Sequence, residues 1–185
     1  MLLKENVIRI LAEFCTDYNK RIYGRDIASK LKLNQKTTAN ILNNLEKEGI
    51  LKYSFEGKNK YYFLNKLNLQ IKDIIKIIEI ERKNQFIKHY KKFKDLFFTL
   101  EKRTNGIIII FGSYANFSSN EKSDLDVFII GKISEVEDLE ELYKIKINIV
   151  KSSKEKIDKN GIFIKEIIKN HIVLKGVEEF IELIW

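Results

Sequence analysis

Cysteine and long apolar runs are nearly absent from this sequence of 185 residues. The single cysteine, Cys15, cannot form an internal disulfide, and its place in a helical apolar pattern with Leu11 and Phe14 predicts a buried thiol. No run approaches the roughly 18 uncharged apolar residues of a membrane span. The first ten residues, MLLKENVIRI, lack the cationic region and apolar block of a secretion signal. We therefore expect a cytoplasmic protein with no membrane partner.

Charge is distributed unevenly along the chain. Residues 1–65 carry 12 Lys/Arg and 7 Asp/Glu, a net charge of +5, and residues 66–104 carry 11 and 5, a net charge of +6. Residues 105–185 carry 11 and 14, a net charge of −3. The basic N-terminal part suggests contact with a polyanion, and the acidic C-terminal part suggests a different function. Lysine-rich solvated faces would give the same totals, so charge leaves both interpretations open.

Three short amphipathic helices are predicted in the first 50 residues. The first has apolar side chains at helical spacing, namely Leu3, Val7, Ile10, Leu11 and Phe14. The second, GRDIASKLKL, is short, and the third begins after Asn34, a favourable N-cap, and ends at Gly49. The outer face of the third helix carries polar side chains that reach base edges and phosphates well. These are Gln35, Lys36, Thr37, Asn40, Asn43, Asn44 and Lys47.

A two-stranded hairpin is predicted next. The segment ILKYSFEGKNKYYFLN alternates in polarity around a turn at residues 56–59, and Lys58 and Lys60 give the turn a basic tip. The succession of three helices and a hairpin resembles the winged helix-turn-helix domains of the MarR and ArsR type over residues 5–65. The segments GRDIASKLKLNQKTTANILNNLEKEGILKY and GKNKYYFLN carry this resemblance.

The winged-helix resemblance implies binding of double-stranded DNA, with a recognition helix in the major groove and a wing against phosphate or the minor groove. The side chains expected to contact DNA are Gln35, Lys36, Thr37, Asn40, Asn44, Lys58 and Lys60. Domains of this type also serve as protein–protein modules without DNA, which is the alternative role of this segment.

Residues 67–103 contain neither glycine nor proline and predict one long helix, or two helices joined near residues 82–84. Apolar side chains recur mostly at three- and four-residue steps: Ile71, Ile74, Ile75, Ile78, Phe86, Tyr90, Phe93, Leu96, Phe97 and Leu100. So long a stripe predicts packing against a second copy, hence a homodimer. Lysines on the other face are either a second nucleic-acid contact or a solvated surface. His89 has no second ligand nearby, so we expect no metal there.

A Gly-Ser pair and an Asp-x-Asp pair stand at the ends of two apolar runs. GIIIIFGS predicts a buried strand that stops at Gly112 and Ser113, and LDVFII predicts a second buried strand. Because side chains alternate along a strand, Asp124 and Asp126 are expected on one side of it. Two close carboxylates repel unless a cation or hydrogen bonds balance them, and Mg²⁺ suits oxygen ligands. The glycine turn lets backbone N–H groups approach nucleotide phosphates.

The order Gly-Ser, ten residues, Asp-Leu-Asp resembles the signature of the DNA polymerase beta-like nucleotidyltransferases, in the minimal nucleotidyltransferase (MNT) group, over residues 107–185. The tail NHIVLKGVEEFIELIW looks like the closing strand and helix of these domains. The resemblance implies that Gly112 and Ser113 bind a nucleoside triphosphate, with ATP expected, and that Asp124 and Asp126 bind Mg²⁺. It makes Ser113 and both aspartates the candidate catalytic residues. It also implies an antitoxin role with a HEPN-type toxin partner.

Two positions depart from the family pattern. The family often continues as GSxARG, whereas this chain has GSYANF, with Asn116 where arginine is usual. A third carboxylate normally comes from a later strand, and KIKINIV offers Asn148 instead. Asn148 supplies no negative charge and cannot act as a base. Glu140 or Glu141 would substitute if the strand register differed. Catalytic transfer and a fold that has lost catalysis therefore both stay open.

The whole sequence, 44% hydrophobic and 32% charged, predicts a globular α+β protein of two small domains. A winged helix domain over residues 1–65 precedes a long helical connector, expected to dimerise, over residues 66–104. Residues 105–185 are expected to form a small α/β nucleotidyltransferase-fold domain with a mixed sheet. The predicted function is a DNA-binding transcription regulator that binds Mg-nucleotide and transfers a nucleotidyl group to a partner. The alternative is a regulator whose inactive nucleotidyltransferase fold serves as a nucleotide sensor or oligomerisation unit.

Overall fold

The chain divides into two structural units, Met1–Ile78 and Glu79–Trp185. A computed structural model describes residues 4–185. Leu3, which belongs to the first predicted helical stripe, lies outside the described residues. The predicted connector, residues 66–104, contributes residues to both units, and the division falls inside a helix rather than at either end of the connector.

The first unit contains three helices and a small antiparallel sheet. Its elements are α1 (Glu5–Cys15), β1 (Ile22–Tyr23), α2 (Gly24–Leu31), α3 (Gln35–Lys47), β2 (Leu51–Glu56) and β3 (Asn59–Leu64). The strand order is β1-β3-β2, and β2 and β3 form the hairpin, with Phe55 opposite Lys60. Helices and hairpin lie where the sequence periodicities predict them.

Local sequence explains the ends of α3. The Asn34 side chain accepts hydrogen bonds from the backbone N–H groups of Lys36 at 2.9 Å and Thr37 at 3.2 Å, as an N-cap does. Gly49 follows the helix with a φ of +70°, a conformation that favours glycine. Thr38, Leu42 and Leu45 on the inner face are buried, and the polar residues of the outer face are exposed.

The predicted connector forms two helices, with a break later than the sequence suggested. Helix α4 covers Ile71–His89, a 3-10 turn covers Lys91–Phe93, and α5 covers Lys94–Arg103. The predicted break at residues 82–84 is wrong: the helix continues to His89, and Tyr90 leaves the helical conformation. The Tyr90 ring is buried beside Phe86 and Tyr114, so tertiary packing fixes the position of the break.

The second unit is built on a mixed sheet, as predicted, and this sheet has four strands. After α5 come β4 (Thr104–Phe111), α6 (Gly112–Ala115), β5 (Leu125–Ile133), α7 (Glu137–Tyr143), β6 (Ile147–Ser152), α8 (Ile162–Lys169), β7 (Ile172–Lys175) and α9 (Val177–Ile184). The strand order is β6-β5-β4-β7. The β5–β6 pair is parallel, and the other two pairs are antiparallel.

The main core of the second unit lies on one face of this sheet. Alternate strand residues such as Leu125, Val127 and Ile129 contribute to it. The aromatic and leucine residues of the connector stripe join the same core: Phe86, Tyr90, Phe93, Leu96, Phe97 and Leu100. The stripe's isoleucines, Ile71, Ile74, Ile75 and Ile78, are buried as well. The chain therefore covers its own stripe, and the length of the stripe is no reason to expect a second copy.

A cluster of buried polar groups joins the middle of α4 to His171, the residue that precedes β7. Glu79 and His171 are both fully buried. Arg82 Nη1 lies 2.9 and 2.8 Å from the two carboxylate oxygens of Glu79, and Arg82 Nη2 donates to the His171 carbonyl at 2.6 Å. Burying charge is tolerated when the groups are paired in this way.

The opposite face of the sheet carries Asp126, Phe128 and Ile130, the other alternating set of β5. Helix α9 packs against β4 and β7, and α8 places the ring of Phe163 against the ring of Phe128. Between residues 4 and 185, no helix is both long enough and apolar enough to cross a membrane.

Candidate functional site

Three strand segments bring their polar residues together at one end of the sheet. Phe111, the last residue of β4, pairs with Asp126 near the start of β5, and β6 places Asn148 beside Asp126 on the other side. Asp124 directly precedes β5. The structure thus brings together the Gly-Ser turn, both predicted aspartates and the predicted Asn148, because antiparallel and parallel pairing place them in adjoining strands.

Asn148 bridges the two carboxylates. Its Nδ2 donates to Asp124 Oδ2 at 3.2 Å and to Asp126 Oδ1 at 3.1 Å. These hydrogen bonds partly offset the repulsion between two carboxylates on one face. Lys146 adds a positive charge, with its Nζ 3.8 Å from Asp124 Oδ2, but this pair is exposed and therefore weak. Lys146 was not predicted as a site residue, although alternation through the segment KIKINIV puts it on the face of Asn148.

Gly112 lies directly against the Asp126 carboxylate. Its φ is +68°, and a Cβ built at this position would collide with Asp126 Oδ2 and lie 3.4 Å from Asp126 Cγ. Only a residue without a side chain fits both the backbone conformation and the space. The Gly-Ser turn and the carboxylate pair therefore form one site.

The segment after the turn is anchored by a buried tyrosine pair. Ser118 N–H donates to the Ser113 carbonyl at 3.0 Å, and Tyr90 Oη donates to the Tyr114 carbonyl at 3.3 Å. Burial raises the pKa of the Tyr114 hydroxyl, and Tyr90 and the Asp124 charge add to the increase. Asn116, the departure from the family pattern, is exposed at the end of α6.

Neither glutamate proposed as a substitute takes the place of the third carboxylate. Glu140 Oε1 accepts a hydrogen bond from the Ile147 N–H at 2.6 Å, so it is committed to the start of β6. Glu141 is exposed on α7. The register of β6 pairs Asn148, not a carboxylate, with Asp126. Across residues 4–185, no group of three or more His, Cys, Asp and Glu side chains is arranged to hold a metal ion.

The predicted DNA-contacting residues lie on α3 and in the hairpin of the first unit. Exposed positions on α3 are Gln35, Lys36, Thr37, Asn40 and Asn44, and Lys58 is exposed in the hairpin turn. Gln35, Lys36 and Lys60 line one cleft together with Arg25 and Tyr23. The structure thus brings three of the seven residues around a common cleft, at the start of α3.

Lys60 does not belong to a free basic tip. Its Nζ donates to Asn43 Oδ1 at 3.1 Å and lies 3.9 Å from the centre of the Tyr53 ring. Tyr62 Oη donates to the same Asn43 oxygen at 2.8 Å. Of the two lysines of the predicted basic tip, Lys60 therefore turns its amine toward α3, whereas Lys58 is exposed in the turn.

Two of three comparisons with known proteins give a match. The family model described as "Nucleotidyltransferase domain" matches residues 90–183. A solved structure titled "Crystal structure of the toxin-antitoxin with AMP-PNP" is 16% identical, with a TM-score of 0.36, and the match covers 55% of this chain and 79% of that one. A search of curated proteins gives no match.

Proposed function

The chain belongs to the nucleotidyltransferase domain family, and from this premise we propose that its second unit binds a nucleoside triphosphate with Mg²⁺ at Gly112, Ser113, Asp124 and Asp126. The observation that carries the proposal is the contact of Gly112 with the Asp126 carboxylate. This contact supports the proposal because it joins a glycine-containing turn, which would bind phosphate, to the carboxylate pair, which would bind Mg²⁺. ATP is the nucleotide we expect.

The residues present fit such a ligand. Asp124 and Asp126 offer two carboxylates on one face, and the Asn148 amide holds them in place. Turning that amide would present its oxygen, in addition to the carboxylates, to a hard cation. The glycine turn would let the backbone N–H groups that follow Gly112 approach phosphate oxygens closely. Bound Mg²⁺ would neutralise phosphate charge and orient the phosphates.

Nucleotide binding without efficient transfer is the better-supported activity. Transfer requires an acceptor hydroxyl to lose its proton as its oxygen attacks the α-phosphorus and pyrophosphate leaves. A third carboxylate would accept that proton or hold a second cation, and Asn148 does neither. Transfer to a partner protein is the second candidate function, and membership of a family defined by this reaction favours it.

Thermal melts of the full chain test nucleotide binding. Wild type should gain stability from ATP and Mg²⁺ together, by about 2.7 kcal/mol at a hundredfold excess over Kd. Asp126→Asn should lose that gain, whereas without ligand it should be at least as stable as wild type, because one of two repelling charges is gone. Equal gains for wild type and Asp126→Asn would refute the site.

A label-transfer assay separates the two candidate activities. Labelled ATP, Mg²⁺ and the full chain are incubated with the product of the neighbouring reading frame, and label is followed onto protein. Binding alone predicts no protein-bound label. Label that appears with wild type and disappears with Asp126→Asn would establish transfer instead.

For the first unit, we propose a winged helix function, the binding of double-stranded DNA. Support comes from the capped helix α3, whose exposed face is polar, and from the cleft that Gln35 and Lys36 share with Arg25. The three helices and the hairpin follow the order expected of such a domain. Gln35, Asn40 and Asn44 would contact base edges, and Lys36 and Lys58 would contact phosphates.

Duplex titrations of the full chain at several salt concentrations test this proposal. Lys36→Ala or Lys58→Ala should weaken binding to all sequences and reduce the salt slope by about one. Asn40→Ala should instead relax sequence preference. Lys132→Ala, an exposed change in the second unit, serves as the control. Absence of salt-sensitive affinity for any duplex would end the DNA proposal and favour a protein–protein module.

Two further partners stay predictions. A HEPN-type toxin partner rests on the MNT resemblance. The homodimer has lost the observation that suggested it, since the connector stripe is buried within the chain. Light scattering at micromolar concentration tests the homodimer. Co-purification with the neighbouring gene product tests the HEPN-type partner.

A further inference from the structure

We propose that Phe163 stacks on the base of the bound nucleotide, an inference that rests on the nucleotide site proposed above. Phe163 lies at the start of α8, and its side chain projects over the face of the sheet that carries the carboxylates. It gives the site an apolar subsite for a flat aromatic ligand, next to the polar subsite for phosphates.

Ring contacts fix the position of Phe163. Its ring centre lies 6.2 Å from that of Phe111 and 5.5 Å from that of Phe128, with both pairs edge-to-face at 86°. Phe111 pairs directly with Asp126 across the sheet, and Phe128 is two residues beyond Asp126. Phe163 therefore lies about one row of side chains from the carboxylate pair, on the same face.

Exposure makes this ring available. Phe163 is 46% exposed and its neighbour Ile162 is 84% exposed. Val150, which pairs with Phe128 on the face of Asn148, is 39% exposed. Phe163 and Val150 both lie beside Phe128, on the face of the sheet that carries the carboxylates, so exposed apolar side chains flank the row next to Asp126.

A nucleobase is the occupant that the surroundings favour. A nucleotide whose phosphates lie at Gly112 can extend its base along the sheet face toward Phe163, since Phe111 directly precedes Gly112 and contacts the Phe163 ring. Every base has an apolar face that stacks on aromatic rings, and such stacking contributes substantially to affinity. Phe163 contacts the ring of Phe111, which directly precedes Gly112 and pairs with Asp126, so the aromatic ring lies at the same end of the sheet as the turn and the carboxylates.

Another exposed aromatic residue close to the turn lies on the wrong side. Phe117, 43% exposed, stacks on Tyr90, with ring centres 6.1 Å apart and planes at 9°. Tyr90 belongs to the core on the opposite face of the sheet from Asp126. Phe117 is thus the matched control, equally exposed and also near the turn but separated from the carboxylates by the sheet.

Calorimetry of the full chain with two ligands tests the assignment. ATP has a base and inorganic tripolyphosphate has none, and both are titrated with Mg²⁺. Phe163→Ala should weaken ATP binding about tenfold and leave tripolyphosphate binding unchanged. Phe163→Leu, which keeps apolar bulk without an aromatic face, should also weaken ATP, whereas Phe163→Trp should restore it. Phe117→Ala should change neither ligand.

Each other outcome has a distinct meaning. Equal losses for ATP and tripolyphosphate in Phe163→Ala would make the residue structural and overturn the inference. Loss of ATP affinity in Phe117→Ala instead of Phe163→Ala would place the base on the other side of the sheet. Equal affinity of wild type for both ligands would show that the base makes no contact, while the phosphate site stands. Failure of wild type to bind either ligand would sink the proposed function as well.

Discussion

At position 148 an amide stands between two carboxylates and donates to both. This residue determines the charge of the site. With asparagine, two negative charges would face a bound cation, and the Asn148 amide donates to both carboxylates when no cation is present. With aspartate, three negative charges would face each other and depend on a cation for compensation. With Asn148 the carboxylate pair is compensated without a metal ion, whereas aspartate at this position would need a metal ion for the same compensation.

Asn148→Asp tests this difference. In EDTA the variant should lose on the order of 1 kcal/mol of unfolding free energy, because a donor is removed and a charge is added. Addition of Mg²⁺ should raise the melting temperature of Asn148→Asp by more degrees than it raises the melting temperature of wild type. Asn148→Ala is the control, since it removes the donor without adding charge. An Asn148→Asp variant no more responsive to Mg²⁺ than wild type would contradict the assignment of this face as a cation site.

Gly112→Ala tests the close approach of turn and carboxylate. The substitution puts an L side chain at φ +68° and drives its Cβ into Asp126, so unfolding free energy should fall by more than the roughly 1–2 kcal/mol of backbone strain alone. Gly57→Ala is matched, because Gly57 has a φ of +60° with nothing within 4 Å of the added Cβ. Thermal melts should show loss of Mg-ATP stabilisation for Gly112→Ala only. Equal behaviour of the two variants would argue against a carboxylate lying against Gly112.

At the scale of elements, an ion pair joins the end of α5 to the start of α7. Arg103 Nη1 and Nη2 donate to the two carboxylate oxygens of Asp138 at 2.5 and 2.6 Å, and Nη1 also donates to the Glu135 carbonyl. The hydrogen bonds from Arg103 lower the pKa of Asp138. This bidentate contact holds the segment that leads from β5 toward β6, the strand that carries Asn148.

Asp138→Asn should make stability less dependent on pH. A carboxyl whose folded pKa lies below its unfolded value stabilises the fold above the unfolded pKa, and that contribution is lost as pH falls through the folded pKa. The melting temperature of the variant should therefore lie slightly below wild type at neutral pH and converge with it in acid. Glu141→Gln, an exposed change on the same helix, is the control. A difference that persists unchanged at low pH would contradict the ion pair's role.

Local signals made several elements predictable from sequence. Asn34 and Gly49 mark the ends of α3, and alternation along β6 correctly identified Asn148 as the residue on the carboxylate face. Tertiary contacts account for what the sequence did not reveal. The helix breaks at Tyr90 because its ring packs in the core, and Lys60 turns to Asn43 because α3 lies beside the hairpin. The bridge from Asn148 to both aspartates required the register of the parallel pair.

At the scale of the whole molecule, two units with different surfaces share one chain. The first unit has a polar, partly basic helix face, and the second has a carboxylate pair at the end of a mixed sheet. The apolar stripe that looked like a dimer interface turned out to be core, because sequence periodicity reports that a face is buried but not what covers it. The two proposed activities are therefore tested separately, each with variants confined to its own unit.

Calorimetric titration of the full chain with ATP tests the central claim, a Mg-dependent nucleotide site built on Asp124 and Asp126, most directly. With Mg²⁺ present, wild type should bind ATP saturably, and EDTA should abolish the binding. Asp124→Asn and Asp126→Asn should each lose ATP binding, whereas Glu141→Gln, an exposed change on α7, should keep it. No ATP binding by wild type, or ATP binding that survives both EDTA and Asp126→Asn, would contradict the account.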